Sequence, residues 1–413
     1  MRLAESAAAP VMEPHVMINA RLFAFALAAP VMALAPAASA QDVWDDPGGI
    51  ESEASVEIAL VAAPDADEAV LGLAKARMAI NYVLMNGAEI GAVGGVELQR
   101  NHPARAGFSG VFPPAAGAGA SSGGAFSGLA RGDTPADRDL RISLETAYIY
   151  IEGGYGEARL GADEGIATRF FEGGPALFAH SGLVNPALDP TGQIIARTDH
   201  DLTGPAAKIS YATPRILGLR GGVSYTPTAD RRGVDRDTES AFPGASRPEI
   251  EDAFEVALNL SRRLPQSGVR LRAAAAYSQA EARFAPDPSL YGTVETWSAG
   301  ASAEFSRLRL GGSYLESNNG IAAGPGDYSA WAVSAALPFG KFEAVAEVSG
   351  AEDEFAGLSS DSWQIGLVWK PSAGWRLASG WRDVDTAYLN SGAQVPATGG
   401  SRNGIVIEIT RSF

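Results

Sequence analysis

The chain has 413 residues, of which 46% are hydrophobic and 19% charged, and its formal net charge is −16. It contains no cysteine, which excludes disulfides, thiolate metal sites and thiol nucleophiles. The negative charge argues against nucleic acid as a partner, because a phosphate backbone would be repelled. No internal apolar run resembles a membrane-spanning helix.

The first forty residues have the pattern of a secretory signal peptide. Arg21 supplies the positive start, residues 22–34 supply the apolar segment, and Ala38-Ser39-Ala40 forms a cleavage site before Gln41. Met17 stands where such a peptide would normally begin, so residues 1–16 are interpreted as a misassigned start. We therefore predict an exported protein whose mature part, residues 41–413, is a single domain.

Apolar and polar residues then alternate in one segment after another, which is the pattern of half-buried β-strands. In the first segment Val56, Ile58 and Leu60 alternate with Glu57 and Ala59. Turn sequences separate the segments; Asn86-Gly87 is a strong hairpin signal, and short turns such as Pro64–Glu68 alternate with longer loops. The segments predict about sixteen antiparallel strands.

Two strands carry aromatic residues at both ends of an apolar face. One face holds Trp331, Val333, Ala335, Leu337 and Phe339, and another runs from Trp363 to Trp369. Eight residue steps at about 3.3 Å span roughly 26 Å, and a tilt of about 40° reduces this to roughly 20 Å, near the ~25 Å apolar band of outer-membrane barrels. A soluble β-sandwich, the alternative fold, does not require this spacing. The predicted fold is therefore all-β, a transmembrane antiparallel β-barrel.

Two long segments lack strand alternation. Residues 101–139 include the low-complexity run PPAAGAGASSGGAFSG, which predicts an exposed and mobile loop. Residues 163–203 contain two adjacent phenylalanines and several aliphatic residues, which argues against disorder. Because loops this long are usually functional, we expect residues 163–203 to fold into the barrel mouth and narrow the channel; an ordinary surface loop is the alternative.

The last strand, IVIEITRSF, ends on Phe413. Ile405, Ile407 and Ile409 share its outward face with this terminal phenylalanine, while Glu408 and Thr410 point inward. Arg411 falls on the outward face, and we expect it at the membrane interface, where a cation costs little.

Residues 209–227, ISYATPRILGLRGGVSYTP, resemble a strand–turn–strand segment of Gram-negative general-diffusion porins, particularly the alphaproteobacterial type. The last strand and the signal peptide agree, and the layout is similar over residues 41–413. The resemblance implies a sixteen-stranded barrel, a trimer, an inward-folded third long loop and passive passage of small hydrophilic solutes. Relatives often carry a basic residue after the glycine that opens the inward loop, whereas Gly161 is followed here by Ala162 and Asp163-Glu164.

A diffusion pore needs a hydrated opening and an electric field across it rather than catalytic groups. We expect acidic loop residues to face a basic wall and to create a transverse field. The predicted acidic constriction residues are Asp163, Glu164, Glu172, Asp189, Asp199 and Asp201. The predicted basic wall residues are Lys75, Arg77, Arg141, Arg220, Arg270 and Arg272.

Other chemistry has little support in the sequence. The mature histidines, His102, His180 and His200, lie in predicted loops without metal-ligand spacing, so we expect solvated side chains, no metal and no cofactor. No serine motif accompanies Asp199-His200-Asp201, so no enzyme is predicted.

The leading hypothesis is an outer-membrane diffusion channel with weak cation selectivity, and the alternative is a substrate-selective channel with a solute-binding eyelet. The expected partners are two further copies of the chain in a homotrimer, outer-membrane lipid, and small hydrophilic solutes and ions. Gly72, Ala74 and Ala76 form a small-residue face where subunits could meet.

Overall fold

The computed structural model describes residues 50–66, 69–100, 111–112, 123–131, 140–233, 247–395 and 402–413. The predicted signal peptide, residues 1–40, lies outside these residues.

The described residues form one closed antiparallel barrel. The strands, in chain order, are β1 (Ile50–Ala62), β2 (Val70–Val83), β3 (Glu89–Arg100), β4 (Val111–Phe112), β5 (Ala130–Arg131), β6 (Leu140–Gly153), β7 (Gly156–Ala162), β8 (Ala207–Ala212), β9 (Leu219–Thr228), β10 (Glu249–Arg263), β11 (Arg270–Arg283), β12 (Thr293–Phe305), β13 (Leu308–Ser317), β14 (Tyr328–Phe339), β15 (Phe342–Asp353), β16 (Leu358–Trp369), β17 (Trp375–Tyr388) and β18 (Asn403–Ser412). All except β4 and β5, which pair with each other, belong to the barrel, so the predicted number of about sixteen strands is confirmed.

Pairing of the first strand with the last closes the barrel. Leu60 pairs with Ile409 and Ala62 with Ile407, while the other side of β1 pairs with β2 over its whole length. Closure gives every strand two neighbours, so no strand edge is left without hydrogen-bond partners in lipid.

Side chains alternate between lipid and lumen along each strand. On β14 the outward Trp331 is 41% exposed and Phe339 is 46% exposed, while Ala336 between them points inward and is buried. Trp363 and Trp369 bracket the outward face of β16 in the same way. The aromatic girdles predicted from these two strands are therefore present.

The two ends of the barrel differ in the length of their connections. The short-turn end carries residues 84–88, 154–155, 213–218, 264–269, 306–307, 340–341 and 370–374. The loop end carries the mostly longer connections that follow β1, β3, β7, β9, β11, β13, β15 and β17. The turn predicted at Pro64–Glu68 is short but lies at the loop end, because β1 runs toward that end.

The C-terminal strand has the predicted faces. Ile405, Ile407 and Ile409 are exposed on the outer surface, and Glu408 is fully buried on the inner one. The Arg411 guanidinium lies 5.1 Å from the Trp375 ring and 4.6 Å from the Phe413 ring, at the short-turn end. The cation is thus covered by aromatic rings at the rim, as expected.

One short helix, α1 (Ile166–Arg169), follows β7. Within the described ranges, no helix has the length and apolar character needed to cross a membrane.

Candidate functional site

The segment between β7 and β8, residues 163–206, lies inside the barrel; we call it the inner loop. Its residues bond to inward-facing side chains on strands from every side of the barrel. These wall residues include Glu57 on β1, Gln99 on β3, Ser224 on β9, Ser278 on β11, Ser313 on β13, Glu347 on β15 and Glu408 on β18. A segment that contacts opposite walls of a closed barrel must lie within it.

A glycine in a left-handed conformation lies where β7 ends and the chain turns inward. Gly161 has φ of +137°, and a Cβ atom there would lie 2.4 Å from the carbonyl oxygen of Ala147. Only glycine tolerates both the conformation and the close approach. The inner loop therefore begins just after Gly161, the glycine at which the sequence comparison with porins placed its start.

Glu255 on β10 fixes the first turn of the inner loop. Its carboxylate accepts hydrogen bonds from the backbone N–H of Ala167 at 3.2 Å, from the Ser224 hydroxyl at 2.9 Å and from the Thr203 hydroxyl at 3.1 Å. The carboxylate is completely buried, and its oxygens lie where a Cβ atom on Gly165 would be. The start and the end of the inner loop are thus tied to one wall residue.

Glu408 on β18 holds the middle of the inner loop. Its carboxylate accepts the backbone N–H groups of three consecutive residues, Ala179, His180 and Ser181, at 2.6, 2.9 and 3.0 Å. Arg376 on β17 donates to the same carboxylate at 3.1 Å. Hydrogen bonds to a charged acceptor each contribute roughly 1.5–3 kcal/mol, so this carboxylate is the strongest single anchor of the segment.

Glu347 and Arg382 add two further attachments on neighbouring strands. Glu347 on β15 accepts the backbone N–H of Leu177 at 2.6 Å. Arg382 on β17 is fully buried and donates to the carbonyl oxygen of Ser181 and to the side chain of Gln364. The backbone of residues 177–181 therefore has charged wall partners for both its donors and its acceptors.

Apolar side chains of the inner loop seal the lumen against the wall. Leu177, Phe178 and Leu188 are buried against small and aliphatic inward-facing residues of the strands that flank the barrel closure. Those wall residues are Ala59, Val61, Leu71, Leu73, Ala336, Val345, Val368, Ala378 and Val406. This cluster fills the lumen beside the strands that flank the barrel closure.

His200 lies between two wall serines. Its ring nitrogens lie 2.8 Å from the hydroxyls of Ser298 on β12 and Ser278 on β11, and Phe126 packs edge-on against the ring. Burial lowers the pKa of His200 to about 3, so the imidazole is neutral and one nitrogen donates while the other accepts. The prediction of a solvated histidine is wrong at this position, because the inner loop carries it to the wall.

A second segment also enters the lumen. Residues 123–129 pack at the loop end, where Phe126 and Leu129 are fully buried with inner-loop and wall residues. The buried Arg232 donates to the carbonyl oxygens of Ala125, Phe126 and Leu202, joining this segment to the inner loop. The expectation of an exposed loop is therefore wrong for residues 123–128, and the rest of the low-complexity run lies outside the described residues.

The wall of β1, β2, β3 and β6 stays open to water. The inward-facing Glu51, Glu53, Ser55 and Arg77 are exposed, and the side chain of Lys75 is 30% exposed. A β-bulge on β6 opposite Gly95 and Val96 gives this strand one extra residue, Glu145, on the inner face. The unfilled part of the lumen therefore lies along the short-turn half of these strands, because nearer the loop end Ala59, Val61, Leu71 and Leu73 are buried against the inner loop.

A comparison with protein families decides the identity. Residues 26–386 match the family model described as Gram-negative porin. The chain belongs to the Gram-negative porin family. This places the porin in the outer membrane, with the short turns on the periplasmic side and the long loops on the extracellular side. The alphaproteobacterial type suggested by residues 209–227 stays a prediction.

Solved structures of outer-membrane proteins share the fold of this porin. OmpT of Vibrio cholerae, in a trimer form folded in vitro, matches with a TM-score of 0.54 and 12% identity, covering 89% of this chain and 100% of its own. OmpF of Salmonella typhi, in complex with daunomycin, gives 0.53 and 13% over 90% and 100%. An anion-selective porin from Comamonas acidovorans gives 0.51 and 12% over 89% and 100%. Comparison with curated protein sequences gives no significant match.

The predicted acidic residues of the porin take three different positions. Glu164 faces the lumen beside Asp163, Asp199 and Asp201; desolvation and these carboxylates raise the pKa of Glu164 to about 7, and nearby Lys75 opposes the shift. Asp199 is paired with Arg197 of the same loop at 2.7 Å, and Asp201 accepts the N–H of Gly204 at 2.8 Å. These three carboxylates lie near one another on the inner loop, on the side that faces Lys75.

The other three predicted acids do not face the opening. Asp163 is buried and is held by Arg159 at 2.8 Å, and Asp189 is fully buried and accepts the N–H groups of Thr191 and Ile194. Glu172 is half-buried on the opposite wall, 3.5 Å from Asn259. Asp163 and Asp189 are therefore held in internal hydrogen bonds, and Glu172 lies on the far wall, so the structure does not place these three carboxylates at the exposed part of the lumen.

The predicted basic residues are also divided between two places. Lys75 lies at the opening between Glu97 at 3.1 Å and Glu145 at 3.3 Å, and Arg77 donates to the Tyr148 hydroxyl at 3.1 Å. Arg141 lies half-buried on the same wall, nearer the extracellular end.

The remaining three basic residues lie away from the opening. Arg220 pairs with Glu157 at 3.0 Å, whereas Arg270 and Arg272 lie at the periplasmic mouth. The wall that faces the inner loop is therefore not uniformly basic, because Lys75 lies between two wall carboxylates.

The porin's anchoring residues were missed by sequence reasoning. The sequence pattern places Glu408 on an inward face, but it does not identify Glu255, Glu347, Glu408 or Arg382 as anchors of the inner loop. A usable signal exists: a glutamate on the inward face at mid-strand, flanked by inward alanine, valine or threonine, indicates a partner other than water. Glu255 and Glu408 both have such neighbours.

Replacing Glu408 with glutamine should loosen the inner loop of the porin. The neutral amide weakens three charge-assisted hydrogen bonds to residues 179–181, so we expect Arg197, buried in the wild type, to become accessible to trypsin. Mass spectrometry of the digest measures cleavage after Arg197. The control, Glu352→Gln, removes the same charge from an outward-facing residue and should digest like the wild type; equal resistance of Glu408→Gln would contradict the anchoring role.

Acid should loosen the same loop through His200. The buried imidazole has a lowered pKa, so a released loop binds the proton more readily than an anchored one as the pH falls below about 6.5. Between pH 7 and pH 5 the anchored state should lose about 2 kcal/mol. Current fluctuations in a planar bilayer should increase over this interval in the wild type and change less in His200→Gln. The same pH response in both proteins would contradict this assignment.

Proposed function

We propose that this porin is a water-filled channel for passive diffusion of small hydrophilic solutes and ions, with a weak preference for cations. The observation that carries the proposal is the asymmetric filling of the lumen. The inner loop and residues 123–129 fill much of the lumen, while inward-facing charged groups toward the periplasmic ends of β1, β2 and β6 remain exposed, namely Glu51, Glu53, Arg77 and Glu152. Exposed charges inside a barrel require water, and a continuous water path conducts ions.

The charges along this path favour cations. The inward-facing carboxylates of β1, β3 and β6, together with the exposed inner-loop carboxylate, are Glu51, Glu53, Glu57, Glu89, Glu97, Glu145, Glu152 and Glu164. The inward-facing cations on β1, β2, β3 and β6 are Lys75, Arg77 and Arg141. An excess of carboxylates along a pore lowers the energy of a passing cation and raises that of an anion.

The direction of selectivity is a property of this chain's own residues. The structural neighbour from Comamonas acidovorans is described as anion-selective, so the shared fold is compatible with either sign. Glu145, Glu164 and the pairing of Lys75 with two carboxylates support the cationic preference here.

We also propose that the porin works without catalysis and as a homotrimer. The barrel exposes tryptophan and phenylalanine to lipid on β10, β12 and β14 to β17, whereas the outward faces of β1, β2, β3, β6 and β7 carry Tyr82 as their only aromatic residue. Aromatic belts mark lipid interfaces, so this arc of five neighbouring strands fits contact with protein. The small face of Gly72, Ala74 and Ala76 lies within it.

Single-channel recording in a planar bilayer under a salt gradient tests the channel and its selectivity. The wild type should conduct with a reversal potential that shows weak cation preference. At pH 8, above the raised pKa of Glu164, Glu164→Gln should reduce the cation-to-anion permeability ratio and Lys75→Gln should increase it. Each change should be about two-fold, because unit charges about 8 Å apart interact by roughly 0.5 kcal/mol in water.

The control for these recordings is Glu352→Gln on the outer surface, which should leave the ratio unchanged. Anion preference in the wild type would overturn the charge assignment. Saturable block by one solute would instead favour a substrate-selective channel, and no current would overturn the proposal.

Ala74→Trp should prevent assembly of the trimer. A bulky ring in the aromatic-poor arc cannot fit between closely packed barrel walls, so the trimer band in unheated gels should disappear. The control, Ala335→Trp, adds the same ring to the lipid-facing side of β14 and should leave the band in place. Unchanged bands in both variants would contradict this interface.

A further inference from the structure

Three arginines lie together at the periplasmic mouth, on the inward faces of β10 and β11. We call Arg263, Arg270 and Arg272 the arginine patch. Arg263 is the cross-strand partner of Arg270, and Arg272 lies two residues along β11 from Arg270 and therefore on the same face. All three are exposed to the lumen.

The fold gives no reason for this arrangement. Directly opposed residues of an antiparallel pair have Cβ atoms about 5 Å apart, and like charges in that position are destabilising. The chain as a whole carries a net charge of −16, so a cluster of cations is not a consequence of composition. Repulsion between these neighbouring arginines destabilises the barrel unless an anion binds between them. The arrangement therefore points to an anionic partner.

The carboxylates near the arginine patch do not neutralise it. Glu304 on β12 lies 3.5 Å from Arg270, and both side chains are close to half exposed. Glu172 of the inner loop contacts Asn259, which lies two inward-facing positions further into the lumen than Arg263 on β10. Among the described residues, no carboxylate contacts Arg263 or Arg272.

The patch lies next to the place where the inner loop meets the wall. Arg272 is the cross-strand partner of Ser302 on β12. Gly300, two residues before Ser302, packs so closely on the backbone of Glu172 that a Cβ atom there would lie 1.9 Å from its carbonyl oxygen. A solute held at the patch therefore rests directly below the inner loop, on the periplasmic side.

We propose that the arginine patch binds the phosphate or carboxylate group of small anionic solutes at the periplasmic mouth. Guanidinium groups form paired, planar hydrogen bonds to both groups, which a lysine ammonium cannot do. The site faces the lumen and not the lipid, so its ligands are solutes that enter the vestibule. This assignment rests on the proposed function, because only a water-filled lumen gives solutes access.

Phosphorus NMR of inorganic phosphate tests the site with the full-length refolded porin in detergent. The wild type should broaden the phosphate signal at millimolar concentrations. Arg263→Gln and Arg272→Gln should each weaken binding about tenfold, because each removes a charge-assisted hydrogen bond. Succinate should compete with phosphate, which would show that the site binds carboxylate as well as phosphate oxygens.

Arg262→Gln is the matched control. Arg262 is adjacent to Arg263 and carries the same charge, but it lies on the outward face of β10, so its replacement should leave binding unchanged. Equal weakening by Arg262→Gln and Arg263→Gln would overturn the site in favour of a diffuse charge effect. A wild-type porin that conducts ions but does not broaden the signal would overturn this inference alone, whereas absence of conductance would overturn the proposed function.

Discussion

Capture of inner-loop backbone by buried wall carboxylates is the interaction on which the rest of the lumen depends. Irregular backbone cannot be buried unless its N–H and C=O groups find partners. Glu408 accepts three consecutive N–H groups, while Glu255 and Glu347 accept one each at other points along the loop. Because these carboxylates lie on β10, β15 and β18, the loop is held around much of the wall, and the open path is confined to the remaining strands.

The placement of Glu408 links the inner loop to closure of the barrel. This residue lies on the last strand, opposite Val61 of the first strand, so its carboxylate reaches its final position only when β18 has paired with β1. The apolar cluster around Leu177 and Phe178 likewise takes wall residues from both sides of this closure. The middle of the inner loop therefore takes its anchors from strands on both sides of the barrel closure.

The barrel was predictable from the sequence, and the lumen only in part. Alternation fixes which residues face lipid, so the Trp331 and Trp363 faces and the sixteen strands followed from periodicity. The entry of the long loop followed from its length and from the resemblance to porins. The charged residues divided unevenly: Lys75 and Glu164 lie at the opening, whereas Asp163 and Asp189 are buried. Loop sequences have no periodic pattern that separates buried from exposed residues. A carboxylate that anchors a loop therefore cannot be told from one that faces water by sequence alone.

A disulfide between the inner loop and the wall tests the central claim most directly, because the chain has no cysteine of its own to interfere. The hydroxyls of Thr198 and Ser313 lie 2.8 Å apart, so the Thr198→Cys/Ser313→Cys variant should form a disulfide on mild oxidation and still conduct ions. The Thr198→Cys/Ser143→Cys variant, with its second cysteine on the open wall, should remain reduced. Failure of the first pair to form, or loss of conductance when it forms, would contradict a loop fixed against one wall beside an open path.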